Sequence, residues 1–196
     1  MISFLKKNKI FSILLFLTLI TSIIGLFIPA LLKDDDKKIV IENIEFLEKQ
    51  IQTGSLSMER GSEVIVENIF TTGLIWALGI SIIGIPIIIF LYLSKVLLLS
   101  TELSFLLTTI KGFHSLWIPI YYFPMFLQMF LLFLLVYYAV NYSLFFIKVL
   151  FLKQECSTIR PVTIKYLKIL GFSIVITLLN VGIEIYLIPK ILKIFI

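Results

Sequence analysis

Between Lys9 and Lys33 the chain runs for 23 residues without a charged side chain. As a helix that run reaches about 35 Å, enough to cross a hydrocarbon core of about 30 Å. Long runs of the same kind recur to the end of the sequence. In lipid the backbone must satisfy its own hydrogen bonds, so only helices or a closed barrel can span. The runs are continuous rather than alternating, which selects helices over a barrel. Composition agrees: 60% of the 196 residues are hydrophobic and 15% charged, against about 45–50% and about 25% in soluble domains. A soluble enzyme, a nucleic-acid module and a disordered regulator are thereby excluded. The net charge of +5 is expected to mark cytoplasmic flanks of spans, not a nucleic-acid surface.

The expected fold is an all-α polytopic membrane helix bundle of about five transmembrane helices. A cytoplasmic N-terminus (1–9) leads into the first span (10–32). This run is longer than a signal-peptide core and leaves through Ile28-Pro29-Ala30, a poor cleavage site, so it reads as an uncleaved anchor. Residues 33–68 form the one sizeable polar segment, with nine acidic and five basic residues. Ile39, Val40, Ile44, Leu47 and Ile51 recur there at near-helical spacing, the pattern of an amphipathic helix lying on the membrane, on the protein itself or on a partner. The second span is placed at 69–93 and a short third at 96–110. Residues 116–147 are read as a lead-in segment, a break at Pro124 and a fourth span. A basic loop (148–166) and a fifth span (167–188) complete the chain.

Five crossings place Lys6, Lys7, Lys9, Lys95, Lys148, Lys153, Arg160, Lys165 and Lys168 on the inner flanks. Positive charge concentrates on the cytoplasmic side of membrane proteins. That rule favours a cytoplasmic N-terminus and an extracytoplasmic C-terminus.

Within the second span Gly73, Ala77 and Ser81 recur every four residues and share a helix face. Such a ridge lets another helix approach closely, either within the bundle or from another protein. Gly84 and Pro86 beyond it are expected to kink the helix. Two carboxylates, Glu102 and Glu184, fall inside spans, where an ionised group costs about 2.5–3.5 kcal/mol even on lenient scales. Ser173, Thr177, Asn180 and Glu184 make one polar stripe that should face inward, toward Gln128 and Asn141 of the fourth span. Glue between helices and a proton or ion pathway both fit these residues, and no Lys or Arg is expected within a span to pair with them. The Asp residues, Asp34, Asp35 and Asp36, sit together in the polar segment. The single His (His114) and single Cys (Cys156) leave no nucleophilic or zinc constellation. No catalytic, cofactor or metal site and no small-molecule substrate is expected.

The stretch Gly73-Leu74-Ile75-Trp76-Ala77-Leu78-Gly79-Ile80-Ser81-Ile82-Ile83-Gly84-Ile85-Pro86 resembles the signature of the stage II sporulation protein M family, as does the closing Gly182-Ile183-Glu184-Ile185-Tyr186-Leu187-Ile188-Pro189. The layout of anchor, acidic extracytoplasmic segment and membrane bundle is similar too. The resemblance implies a non-enzymatic role at the septal membrane during forespore engulfment. Its implied partners are peptidoglycan-degrading proteins of the stage II sporulation D and P type. The chain departs from the family pattern at Val96 and through the lack of glycine before Gly112. Pro124 matches relatives outside spore formers, but Met125, Phe126 and Gln128 do not supply their His and acid. Family members also occur in circular-bacteriocin gene clusters, which implies a second role in peptide maturation, export or immunity.

Overall fold

The computed structural model describes residues 8–33, 37, 38, 42, 58–109, 117–152, 159–187, 190 and 191. Its main elements are α1 (Lys9–Leu31), α2 (Met58–Leu78), α3 (Gly84–Thr109), α4 (Trp117–Leu152) and α5 (Ile159–Gly182), followed by a π-helical turn, Ile183–Leu187. The protein is an all-α helical bundle. Four helices, α1, α3, α4 and α5, are long and apolar enough to cross a membrane, while the apolar part of α2 is the shorter Ile65–Leu78. The amphipathic stretch expected at 39–51 lies outside the described residues apart from Glu42, as do His114 and Cys156.

Side-chain contacts fix the helix directions. Thr18 and Tyr92 share a hydroxyl hydrogen bond of 3.1 Å, and further along both helices Ser104 donates to the Leu26 carbonyl at 2.8 Å, so α1 and α3 run parallel. Their backbones approach closely at Gly25, where a Cβ would stand 2.6 Å from that of Ser100. In lipid, which supplies no hydrophobic drive between helices, such small-residue contact is a main source of packing energy. Helix α4 runs against α3: Tyr92 meets Phe133 near one end, and Phe105 and Leu106 cluster with Tyr121 and Tyr122 near the other. Helix α5 returns along α4 through Tyr142–Thr163, Gln128–Thr177 and Asn180–Pro124. Leu14, Ile75, Ile88, Leu132, Leu135 and Val136 make up much of the main core.

The second and third segments differ from the sequence expectation. No helix covers 69–93; the chain turns at residues 79–83, and α3 then continues unbroken through Lys95 to Thr109. Lys95 therefore sits within α3, not on a flank. The expected kink at Gly84 and Pro86 is a complete reversal, with α2 and α3 antiparallel. Gly84 makes the reversal possible, because a Cβ there would collide with the Leu78 carbonyl. Through the turn the hydrogen bonds tighten to i−3: Ile80 N to Ala77 O at 3.2 Å, Ser81 N to Leu78 O at 2.9 Å and Gly84 N to Ser81 O at 3.2 Å. Pro86 is the third residue of α3. Within this first turn a missing N–H leaves no intrahelical bond unmade.

A helix end leaves carbonyls without intrahelical partners, and burying them bare is costly. Here the rest of the fold supplies donors. Buried Ser143 of α4 donates to the Gly79 carbonyl at 2.6 Å, with the Ser81 carbonyl at 3.2 Å. Tyr166 of α5 donates to the Trp76 carbonyl at 2.9 Å. The Tyr166 ring stacks between Trp76 (centroids 5.7 Å) and Tyr142 (4.2 Å). A Cβ at Gly79 would drive into the Tyr166 hydroxyl and the Ala139 methyl.

Two further boundaries move. Pro124 does not separate a lead-in from a span, because α4 is one helix of 36 residues with Pro124 inside it. An interior proline removes one N–H and crowds the carbonyl four residues back, and a long apolar helix with packed neighbours can absorb both and continue. Helix α5 starts at Ile159, so Arg160, Lys165 and Lys168 belong to its first turns instead of a basic loop.

Candidate functional site

The polar stripe of α5 is buried. Ser173, Thr177 and Asn180 are 7%, 1% and 1% exposed. These residues step by one helical turn and meet α4, where Gln128 Nε2 donates to Thr177 Oγ1 at 3.3 Å and Asn180 Nδ2 donates to the Pro124 carbonyl at 2.8 Å. Gln128 thus joins the stripe. Asn141 does not: its amide donates to the Tyr137 carbonyl of its own helix at 2.7 Å. Two acceptors in this seam, Gln128 Oε1 and Asn180 Oδ1, are buried without a hydrogen-bond partner.

Beside the seam, α2, α3, α4 and the π-helical turn line an open cavity of about 320 Å³. Its wall holds Glu67, Asn68, Lys95, Glu102, Gln128 and Glu184, with Leu98, Leu99, Met125 and Met129 completing it. Lys95 is ion-paired with Glu67. Here the sequence reading is overturned: a cation does lie within an apolar helix, and its partner comes from the segment read as soluble. Glu102 stands beside the fully buried Tyr122 hydroxyl. Glu184 reaches the same cavity because the helix loosens into its π-helical turn at Ile183. The structure therefore brings Glu102, Gln128 and Glu184 together, while Asn180 stays in the seam, bonded to the Pro124 carbonyl.

The small-residue ridge is placed differently from the cavity. A Cβ added at Gly73 would meet no heavy atom within 4 Å, and Ala77 is exposed. Ser81 has left the helix face altogether and sits exposed in the turn. Gly84 is buried in the hairpin and Pro86 is exposed at the start of α3. Close packing within the bundle falls instead on Gly25 and Gly79, which the ridge spacing did not single out.

Glu67 and Lys95 were the residues that sequence reasoning missed. The available signal was a lone Lys between two apolar runs with no loop residues around it. Among the described residues, no three His, Cys, Asp or Glu side chains group as metal ligands. No protein-family model, curated protein or solved structure matches the chain.

Proposed function

We propose that the chain is a non-enzymatic membrane scaffold, with its N-terminus cytoplasmic and its C-terminal end extracytoplasmic. In this reading it positions peptidoglycan-degrading partners of the stage II sporulation D and P type at the septum during engulfment. The observation that carries the reading is the outward Gly73–Ala77 face of α2. Small residues facing lipid gain little from acyl chains, whereas they let a second transmembrane helix approach to backbone distance. Charge supports this orientation: Lys9, Lys148, Arg160, Lys165 and Lys168 gather at the end of the bundle that carries the 79–83 turn. A photo-crosslinker at Ala77 should capture the membrane anchor of a wall-hydrolase complex in the native host, and deletion should stall engulfment. Engulfment that proceeds normally after deletion defeats the proposal.

The charged cavity favours a second reading, a membrane component of circular-bacteriocin maturation, export or immunity. Under it, Glu102→Gln with Glu184→Gln abolishes peptide flux or resistance while the folded protein persists. Under the scaffold reading the same variant leaves partner capture at Ala77 intact.

A further inference from the structure

Another pocket, of about 290 Å³, opens between α4 and α5. Tyr137, Tyr138 and Asn141 line it from α4 and Lys165 from α5, and the stacked rings of Tyr142 and Tyr166 belong to its wall. Its depth follows from its neighbours. Phe11, near the start of α1, packs edge-on against Tyr137 at 5.7 Å, and Ser143 holds the 79–83 turn. The pocket is therefore level with the start of α1 and with that turn, at one end of the bundle. From Pro119 to Tyr142 helix α4 rises about 35 Å, close to one hydrocarbon thickness. That places the wall at the depth of lipid headgroups, where Tyr side chains are at home.

We infer that this pocket binds the phosphate headgroup of an anionic phospholipid. The charge is argued from the two helices: α4 and α5 carry Lys148, Arg160, Lys165 and Lys168 and no Asp or Glu. Val162 of the wall lies in the first turn of α5, where the helix dipole adds the same sign. The donors are uncommitted. Among the described residues, neither the Lys165 ammonium nor the Tyr137 or Tyr138 hydroxyl has an ion-pair or hydrogen-bond partner. Asn141 gives one amide proton to the Tyr137 carbonyl and keeps a second. The Tyr142 and Tyr166 hydroxyls, by contrast, are bonded to Thr163 and to the Trp76 carbonyl, so those rings serve as wall. Phosphate oxygens accept from an ammonium, phenols and an amide alike, and basic pockets between helices suit such headgroups. A zwitterionic headgroup brings an ammonium for which the wall holds no carboxylate. The acyl chains stay in the surrounding bilayer and need no slot of their own. The inference rests on the charge of this end of the bundle and stands whichever partner the Gly73 face takes.

The test is native mass spectrometry of the purified full chain in detergent. The chain is equilibrated with equimolar phosphatidylglycerol and phosphatidylethanolamine of identical acyl chains. Bound phosphatidylglycerol should exceed bound phosphatidylethanolamine at least threefold. Lys165→Gln should return the ratio to one, and Tyr137→Phe with Tyr138→Phe should at least halve it. Arg160→Gln, the same loss of charge on this end but outside the pocket, should leave the ratio at its wild-type value. Glycerol 3-phosphate in about hundredfold excess should leave the phosphatidylglycerol adduct in place. A wild-type ratio at or below one overturns the inference, as does an equal fall in Lys165→Gln and Arg160→Gln, which would make the preference one of net charge. Displacement by glycerol 3-phosphate would give the pocket to a soluble phosphate, and a lipid-free dimer would give it to a second copy; either overturns the lipid. The wild-type arms decide the matter even if a variant does not fold.

Discussion

Replacing Ser143 by Ala isolates the interaction that lets α2 end inside the bundle. Ser143 is 0% exposed, and its hydroxyl is the donor to the Gly79 carbonyl at 2.6 Å. The substitution removes one oxygen and leaves the carbonyl of a buried turn without that donor. Leaving a buried acceptor unsatisfied costs about 1–3 kcal/mol. Tyr166→Phe is the natural comparison, because it deletes a hydroxyl while keeping the ring between Trp76 and Tyr142. The Trp76 carbonyl still receives the Gly79 N–H at 3.1 Å, so the loss should approach the average of about 0.6 kcal/mol for side-chain hydrogen bonds between membrane helices. Equilibrium unfolding in mixed micelles, followed by Trp76 fluorescence in a Trp117→Phe background, measures both. Amide exchange at residues 76–84 should accelerate in Ser143→Ala before other helices respond. If Ser143→Ala costs no more than Tyr166→Phe, the carbonyl has another partner and the account of the turn is wrong.

Glycine substitutions should separate the two kinds of small-residue contact. Gly79→Leu and Gly25→Leu should destabilise by about 1–3 kcal/mol through overpacking, whereas Gly73→Leu should unfold at the wild-type midpoint because nothing stands near its side-chain direction. The Lys95–Glu67 pair should show in a double-mutant cycle: Lys95→Met alone lowers thermal stability more than Lys95→Met with Glu67→Gln, and equal losses would mean the pair is not coupled. In a Cys156→Ser background, cysteines at 82 and 155 should react with an impermeant maleimide from one side of the membrane and a cysteine at 35 from the other. Labelling of 82 and 35 from the same side would contradict the hairpin.

Helical class and the inward stripe of α5 were legible because both depend on local periodicity. Uncharged runs must be helical in lipid, and Ser173, Thr177 and Asn180 recur at helical spacing on an apolar background. The hairpin was not legible. No charged residue punctuates residues 69–93, and Gly73, Ala77 and Ser81 fit an unbroken ridge equally well. What permits the reversal lies far away in the chain: Ser143 and Tyr166 supply the donors that the buried end of α2 requires. Lys95 was misplaced for a related reason. A cation between two apolar runs resembles an interfacial flank until its partner is known, and Glu67 belongs to a stretch whose charge suggested water. Pro124 shows the limit of reading proline as a boundary when neighbours on α5 pack across it.

Helix α4 has an effect on the surrounding lipid. Its apolar stretch Pro119–Phe151 spans 33 residues, about 50 Å at 1.5 Å per residue. Even at a tilt of about 40°, near the steepest found for such helices, it projects about 38 Å onto a core of about 30 Å. The excess has to be absorbed by stretching the nearby acyl chains or by protein covering one end. Where the acyl chains stretch, the protein carries an elastic load that relaxes where the bilayer is thicker. That gives it a mechanical reason to concentrate in some regions of a membrane over others, before any partner is bound.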